Sequence, residues 1–418
     1  MHYDMTTLPN GLRIVSEPMP SLRSVALGCW IDTGTRDENA NEAGVSHFLE
    51  HLLFKGSEKL SAREVNETFD AMGAEYNAFT SKEATCFWAR LLDQDLASGL
   101  DILAEIIQRP AFRQNEIDAE RQVVVEEINM YEDDPNDVAF ENFSRAAFAD
   151  HALESPVLGT RESIRSMSRD DINGYWKRRY GAGSLVVAAA GSVDHERLVE
   201  LISQRFGDWS GDPVPHDHGP VDASPDVRVT RRDTEQAHIV LGGPGLARAD
   251  ERRWAFEVLS NALGSGMSSR LFREVREERG LAYSIYAFKM AFADNGVWGV
   301  YVGTTPSQTG TAMNVIRGEL SKVVEDGITK EELERVKGSI RGGLALSLED
   351  ASSRMVRLGR DELAGLPHLS VDERLEKLEN VDLAAVQEAA RDVYGSGTRM
   401  LGAVGPFERE ELTQFLEV

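Results

Sequence analysis

Residues 43–56 read AGVSHFLEHLLFKG, and this stretch predicts a helix from about Ala43 to Lys55. Gly56 follows in the position that a helix C-terminus favours, because glycine readily adopts the left-handed backbone found there. A strand is predicted before it, at Val25 to Ile31, with a polar loop between the two. The helix carries the one motif on which the interpretation of the chain depends.

Two histidines and a glutamate occur on this helix in the order His47-Phe48-Leu49-Glu50-His51. Residues four apart share a helix face, so His47 and His51 can present two imidazoles to one metal ion. Glu50 lies on the flank of that face, where a carboxylate can act as general base on a water molecule without binding the metal. The spacing predicts zinc-dependent hydrolysis, although a pair of hydrogen-bonded helix histidines with a solvated glutamate also fits the motif taken alone.

Size and composition limit the classes of protein to which the chain can belong. A length of 418 residues favours two domains, and 41% hydrophobic with 28% charged residues is typical of a globular protein. The formal charge of −25 argues against nucleic acid or anionic lipid as partner and fits a basic peptide substrate, although solubility alone also accounts for it. The two cysteines, Cys29 and Cys86, lie in apolar runs, which indicates buried free thiols and a reducing compartment. We predict a cytosolic protein, because we find neither a secretion signal nor an apolar run of membrane-spanning length.

The second half of the chain repeats the order of elements in the first, which predicts an internal duplication. Residues 115–121 align with residues 331–337 at an offset of 331 − 115 = 216, and no His-x-x-Glu-His occurs at the corresponding place. A run rich in Pro, Gly and Asp separates the halves and includes His216-Asp217-His218, which we interpret as polar filler. We predict an N-terminal domain at 1–210, a linker at 211–226 and a C-terminal domain without the metal motif at 227–418.

The segment HFLEHLLFKG resembles the inverted zinc motif of the pitrilysin-like (M16) peptidases, in their mitochondrial-processing-peptidase-like bacterial branch, and the resemblance runs the length of the chain. It implies an α+β fold of two similar domains, each a mainly antiparallel sheet with helices packed on one face. It also implies a metalloendopeptidase with one zinc ion per chain. Two chains of this branch close around a chamber that admits peptides or unfolded segments, so a homodimer is expected.

The resemblance also supplies a third zinc ligand from a second helix. The segment ERQVVVEEI, residues 120–128, matches the family segment that carries this ligand and places it at Glu127. Glu120, two helical turns earlier on the same face, matches a glutamate that supports the site. Glu126 is the adjacent alternative, and a solvated helix face is the alternative for all three glutamates.

Substrate-binding residues follow from the same resemblance. Residues 73–80 resemble the family's edge strand, which accepts an extended peptide by adding it to the sheet, so Asn77, Ala78 and Phe79 are candidate substrate contacts. Phe54 resembles the residue that lines the pocket just after the scissile bond, with core packing as its alternative.

A second family signature occurs in the C-terminal half. It implies that Arg276 and Tyr283 reach the substrate near the scissile carbonyl, and we expect them to act at the zinc site of the partner chain. The competing interpretations are a non-catalytic scaffold subunit of the same fold and a zinc-binding subunit that needs a different catalytic chain.

Overall fold

The computed structural model describes residues 3–216 and 219–417. Asp217 and His218 of the predicted linker therefore lie outside the described residues. The chain forms two compact units, and each is discontinuous in sequence. Among the described residues, the first unit comprises 3–129, 155–216 and 345–370, and the second comprises 130–154, 219–344 and 371–417.

The described residues form eleven strands and fifteen α-helices. The strands are β1 Asp4–Thr7, β2 Arg13–Pro18, β3 Ser24–Ile31, β4 Glu75–Thr80, β5 Thr85–Leu92, β6 Leu185–Gly191, β7 Asp226–Arg231, β8 Ala237–Pro244, β9 Ala282–Ala291, β10 Gly296–Thr304 and β11 Met400–Gly405. The helices are α1 Val45–Leu53, α2 Ala62–Met72, α3 Leu96–Gln108, α4 Gln114–Asp133, α5 Pro135–Ala147, α6 Arg161–Ser166, α7 Arg169–Arg179, α8 His195–Phe206, α9 Arg253–Gly264, α10 Thr309–Asp326, α11 Lys330–Ser347, α12 Ala351–Leu363, α13 Val371–Glu379, α14 Leu383–Ala389 and α15 Arg409–Thr413. Among them, no helix is both long enough and apolar enough to span a bilayer.

The two sheets share the order and direction of five strands, and the first sheet has β1 as an additional strand at its edge. The first has the order β1-β2-β6-β3-β5-β4, and the second has the order β7-β11-β8-β10-β9. Among the described strands, β2 with β6 and β7 with β11 are the parallel pairs, one in each sheet, and all other pairs are antiparallel. The predicted α+β fold with two similar, mainly antiparallel domains is confirmed.

The duplication extends to a pair of helices that the sequence analysis did not assign. α5 begins at Pro135 and α12 at Ala351, an offset of 351 − 135 = 216. α5 comes from the N-terminal half but packs on β7, β8 and β11 of the second unit. α12 comes from the C-terminal half but packs on β2, β3 and β6 of the first. Each sheet thus has several helices on one face and a single helix from the other half of the chain on its opposite face.

Close packing and buried charge hold α12 on the first sheet. Gly359 lies so near the indole of Trp30 that a Cβ atom there would meet its Nε1 at 2.2 Å. Arg354 and Arg357 both pair with Glu17 of β2, whose side chain is 3% exposed. A buried carboxylate is tolerated only when it is paired in this way.

The described end of the linker is attached to the first unit through His216. Its Nδ1 lies 2.7 Å from Asp37 Oδ1, and its Nε2 lies 3.2 Å from Asp32 Oδ1. Hydrogen bonds to Asp32 and Asp37 raise the pKa of His216 to about 10. This residue is a tether between the linker and the domain, and the interpretation of it as filler was incomplete.

Candidate metal centre

The start of α1 is fixed by a glycine and by the side chain of Glu38. Gly44, the residue before the helix, adopts φ +87°, and a Cβ atom there would lie 2.6 Å from the carbonyl oxygen of Leu158. Glu38 accepts hydrogen bonds from the backbone N–H groups of Gly44 at 2.7 Å and Ser46 at 2.8 Å. A negative charge at a helix N-terminus is favourable, but burial raises the pKa of Glu38 to about 8. The helix is two residues shorter at each end than predicted, because Gly44 and Phe54 flank it.

His47 and His51 lie one turn apart on α1, with ring centroids 4.7 Å apart. Phe48, Leu49 and Leu52 bury the opposite side of the helix in the core of the first unit. His47 is 6% exposed. The helical spacing therefore turns both imidazoles to the same side, away from that core.

Glu127 of α4 reaches the same point from a second helix. Its Oε2 lies 3.5 Å from His47 Nε2 and 3.6 Å from His51 Nε2. One ligand atom from each of the three residues can be chosen so that all lie within 4.8 Å of one another. Atoms about 2.1 Å from one tetrahedral ion lie about 3.4 Å apart, so the carboxylate fits zinc with either imidazole. Two imidazole nitrogens and one carboxylate oxygen are also a donor set found at catalytic zinc.

Glu120 orients His51 by contacting Nδ1, the ring nitrogen that does not face Glu127. Glu120 Oε2 lies 3.1 Å from His51 Nδ1, and its Oε1 lies 2.6 Å from Lys55 Nζ. Nδ1 of His51 donates its hydrogen bond to this carboxylate, which leaves Nε2 of the same ring facing Glu127. Burial opposes ionisation of Glu120, but the hydrogen bonds to His51 and Lys55 keep the pKa of its carboxyl below the usual value.

The electrostatics of the two histidines differ. Burial, reinforced by the neighbouring His51, lowers the pKa of His47 to about 4. Burial also disfavours the charged form of His51, but hydrogen bonds to Glu120 and Glu127 raise its pKa to about 9. Glu127 in turn has a lowered pKa, chiefly through its hydrogen bond with His51. The carboxylates thus favour the charged form of His51, whereas burial favours the neutral form of His47.

Glu50 is held beside the cluster by Thr80, the last residue of β4. The Thr80 hydroxyl donates to Glu50 Oε2 at 2.7 Å. Burial raises the pKa of Glu50, and the bond from Thr80 opposes that rise. A carboxyl group with a raised pKa exchanges protons more readily near neutral pH, which is what general acid–base chemistry requires.

The candidate substrate residues of the first unit occupy β4 and the end of α1. β4 pairs only with β5 among the described strands, so its other edge carries no partner strand. Along it Asn77 is exposed, Ala78 is buried, and the ring of Phe79 packs edge-on against Trp30 at 5.3 Å. Phe54 is half-buried, with its ring 5.8 Å from that of Tyr76.

Arg276 and Tyr283 lie together in the second unit. The Arg276 guanidinium is 4.5 Å from the centre of the Tyr283 ring, and Tyr283 is 78% exposed. Arg276 also lies over Phe272 at 4.8 Å. The two residues form a cation–π pair at the surface of this unit.

Three residues with evident roles at the cluster escaped the sequence analysis. Lys55 follows His51 by four residues, so the helical spacing could have identified it as a neighbour. Thr80 and Glu38 contact the motif helix only through the tertiary fold, and nothing in their local sequence indicates this. Glu126, the alternative to Glu127, does not join the cluster and instead accepts a hydrogen bond from Asn129 at 3.3 Å.

Comparisons with known families and structures cover most of the chain. The family model "Insulinase (Peptidase family M16)" matches residues 13–161, and "Peptidase M16 inactive domain" matches residues 166–340. An uncharacterized zinc protease of Streptomyces coelicolor is 44% identical over 418 residues, covering 98% of this chain and 91% of that protein. An uncharacterized zinc protease of Bacillus subtilis is 40% identical over 388 residues, covering 93% and 95%.

Two crystal structures share the fold. A protease from Helicobacter pylori superposes with a TM-score of 0.91 at 22% identity, covering 96% of this chain and 99% of that one. A structure described as a peptidase M16 inactive domain, from Pseudomonas fluorescens, superposes with a TM-score of 0.92 at 18% identity. The match covers 98% of this chain and 99% of that one. At these identities the likeness concerns the fold alone.

Proposed function

The chain belongs to peptidase family M16, and on that premise we propose that it is a zinc-dependent endopeptidase that hydrolyses peptides or unfolded segments. The observation that carries the proposal is the convergence of His47, His51 and Glu127 within 4.8 Å, with Glu50 beside them. Relatives described as zinc proteases support the choice of metal.

His47, His51 and Glu127 would hold one zinc ion per chain. Both histidines offer Nε2, since Glu120 fixes Nδ1 of His51 and His47 Nδ1 is buried with no hydrogen-bond partner among the described residues. When bound, zinc supplies a Lewis acid that polarises the scissile carbonyl and lowers the pKa of water. Three protein ligands would leave one coordination position for water, as at catalytic zinc sites.

Glu50 moves the proton in this proposal. Its carboxylate takes a proton from the attacking water and later gives it to the nitrogen of the leaving amine. The raised pKa of Glu50 suits both steps, because the group must accept a proton and release it near neutral pH. Thr80 keeps the carboxylate in one orientation throughout.

The unpaired edge of β4 would place the substrate. An extended peptide added along Asn77 and Ala78 gains main-chain hydrogen bonds that do not depend on its sequence. The edge ends at Thr80, which contacts Glu50, so a peptide bound there runs towards the proton-transfer group. Phe54 offers an apolar wall, and Phe79 packs edge-on against Trp30. The charge of −25 favours basic peptides, because it attracts cations to the protein.

We also propose that the enzyme is a homodimer in which Arg276 and Tyr283 of one chain act at the zinc site of the other. Both carry hydrogen-bond donors that can stabilise a developing oxyanion. Glu50→Gln chains mixed with Arg276→Ala chains should regain part of the wild-type activity. Mixed dimers without activity would contradict the arrangement in trans while leaving the peptidase itself intact.

Mass spectrometry of a mixture of unstructured peptides tests the peptidase directly. We expect cleavage by the purified wild-type chain and by Glu67→Gln, a control at an exposed glutamate of α2. Glu50→Gln and a chelator-treated sample should leave the peptides intact. Cleavage by all four samples would refute the proposed mechanism.

A non-catalytic or partner-dependent subunit is the second candidate. It is favoured by the match of residues 166–340 to a family model described as inactive. That match begins after the His-x-x-Glu-His motif and after Glu127, so it does not describe the metal cluster. Wild type that binds zinc but cleaves no peptide would favour this candidate.

A further inference from the structure

The second unit contains a cavity of about 340 Å³, walled by α9, α11, α13 and β9. This volume lies near the lower end of the range for small-molecule pockets. Much of the wall is apolar and includes Leu246, Trp254, Met290, Ile340 and Leu344. Such a wall suits an apolar group of modest size.

The charges around this cavity run against the composition of the chain. Four of the described residues that line it are basic, and they come from separate parts of the unit: Arg248, Arg253, Lys289 and Arg374. Glu257 is the single acidic residue among them, and it pairs with Lys289. Arg253 also lies 3.9 Å from Glu251, which does not line the cavity, so the lining itself carries more positive than negative charge in a protein with a formal charge of −25, and this favours an anion.

Two of the guanidinium groups are held in place. The Arg253 guanidinium lies 5.3 Å from the centre of the Trp254 ring and donates to the carbonyl oxygen of Arg248 at 3.0 Å. Arg248 donates to the carbonyl oxygen of Ala291 at 3.2 Å. Side chains that are ordered before binding lose less entropy when a ligand arrives. The planar guanidinium also matches the geometry of a carboxylate.

The same two helices of each unit lie at the two sites. α9 and α11 of the second half correspond to α1 and α4 of the first. In the first half, α1 carries the two histidines and α4 carries Glu127. At the offset seen in the sequence, 343 − 127 = 216, Glu127 corresponds to Gly343, which offers no ligand. Ile340 and Leu344 of α11 instead face the cavity. α9 and α11 therefore line an apolar pocket with basic residues, where α1 and α4 carry the candidate metal ligands.

We propose that this cavity binds a small molecule in which one carboxylate is attached to an apolar body. The apolar wall takes the body, and the guanidinium groups of Arg248 and Arg253 take the carboxylate. Two sources share this chemistry: a medium-chain fatty acid, and the hydrophobic C-terminal residue of a peptide. The proposal does not depend on peptidase activity.

Fluorine NMR of the full chain labelled with 5-fluorotryptophan tests the proposal. The chain has six tryptophans, and Trp254→Phe assigns the signal of the one that lines the cavity. Octanoate represents the fatty acid, with 1-octanol as its neutral match. N-acetylphenylalanine represents the peptide terminus, with its amide as the neutral match.

At least one acid should shift the Trp254 signal in a saturable way. Its neutral match should bind at least about tenfold more weakly. Arg248→Gln should weaken the binding of that acid several-fold. Arg273→Gln, at an exposed arginine that does not line the cavity, should not. The acid that binds identifies the source. Equal binding of acid and neutral match, or no shift of Trp254 at low millimolar concentrations of any probe, would overturn the proposal, and this comparison needs only wild-type protein.

Discussion

Replacing Glu120 with glutamine should weaken zinc binding without removing any of the three proposed ligands. The glutamine keeps the shape of the side chain and can still accept a hydrogen bond from His51 Nδ1, now 3.1 Å from Glu120 Oε2. It loses the charge that makes the imidazole a stronger donor to a metal. Glu120 is buried, with 7% of its side chain exposed, so water cannot replace that charge.

The size of the effect follows from what such outer carboxylates contribute. Loss of a group that orients a metal-binding histidine typically costs 10–100-fold in metal affinity, or about 1.4–2.7 kcal/mol. We expect Glu120→Gln to fall in that range, since the carboxylate contacts His51 directly. Lys55 loses its partner too, but its side chain is 35% exposed and can be solvated, so it should add little.

Competition with a chromogenic chelator measures the zinc dissociation constant of each variant. Asp118→Asn, at an exposed position two residues earlier on α4, is the matched control and should bind zinc like wild type. Thermal unfolding of the metal-free proteins separates an effect on the metal from an effect on the fold. An unchanged zinc dissociation constant for Glu120→Gln would refute the role assigned to Glu120.

Three further outcomes are expected. Glu127→Gln should abolish stoichiometric zinc binding in metal analysis, whereas Glu126→Gln should retain it; the reverse result would make Glu126 the ligand. Because the pKa of His216 is raised from 6.5 to about 10, the charged imidazole stabilises the fold fully below about pH 6.5, and this contribution disappears as the pH approaches 10. Urea titrations should therefore show that His216→Gln lowers the free energy of unfolding at pH 6 and leaves it nearly unchanged at pH 10, whereas an equal loss at both would contradict the ion pair with Asp37. Leu358→Ala, which truncates a fully buried side chain of α12, should cost about 2–5 kcal/mol by the same titration at neutral pH, and a loss under 1 kcal/mol would mean that α12 does not pack as described.

Features that depend on residues close together in the sequence could be predicted from the sequence. The hairpin of β1 and β2 about Pro9-Asn10-Gly11 follows from turn chemistry, and the shared side of His47 and His51 follows from helical spacing. The duplication was visible because a helical segment recurs at a constant offset. Contacts between distant segments left no such trace in the sequence: Thr80 meets Glu50, and His216 meets Asp37, only after the chain has folded. The cytosolic location remains a prediction from sequence.

The position of α5 and α12 could not be predicted, for a different reason. Their apolar residues, such as Phe143 and Met355, indicate that one face of each helix is buried. An apolar face packs equally well on either of two sheets that share five strands in the same order and direction, so the pattern does not say which sheet receives it. The choice depends on the path of the chain after Asp133 and after Ser347.

The exchange of these two helices changes what a break in the backbone would do. A protease that cut between residues 211 and 226 would leave two fragments, each of which holds a helix required by the core of the other. The nicked protein should therefore migrate as one species until it is denatured. The exchange also affects folding during synthesis on the ribosome. One face of the sheet next to α1 stays uncovered until α12, which ends at residue 363, has emerged. A gene truncated at the linker would encode a fragment that exposes an apolar sheet surface, which favours aggregation over folding.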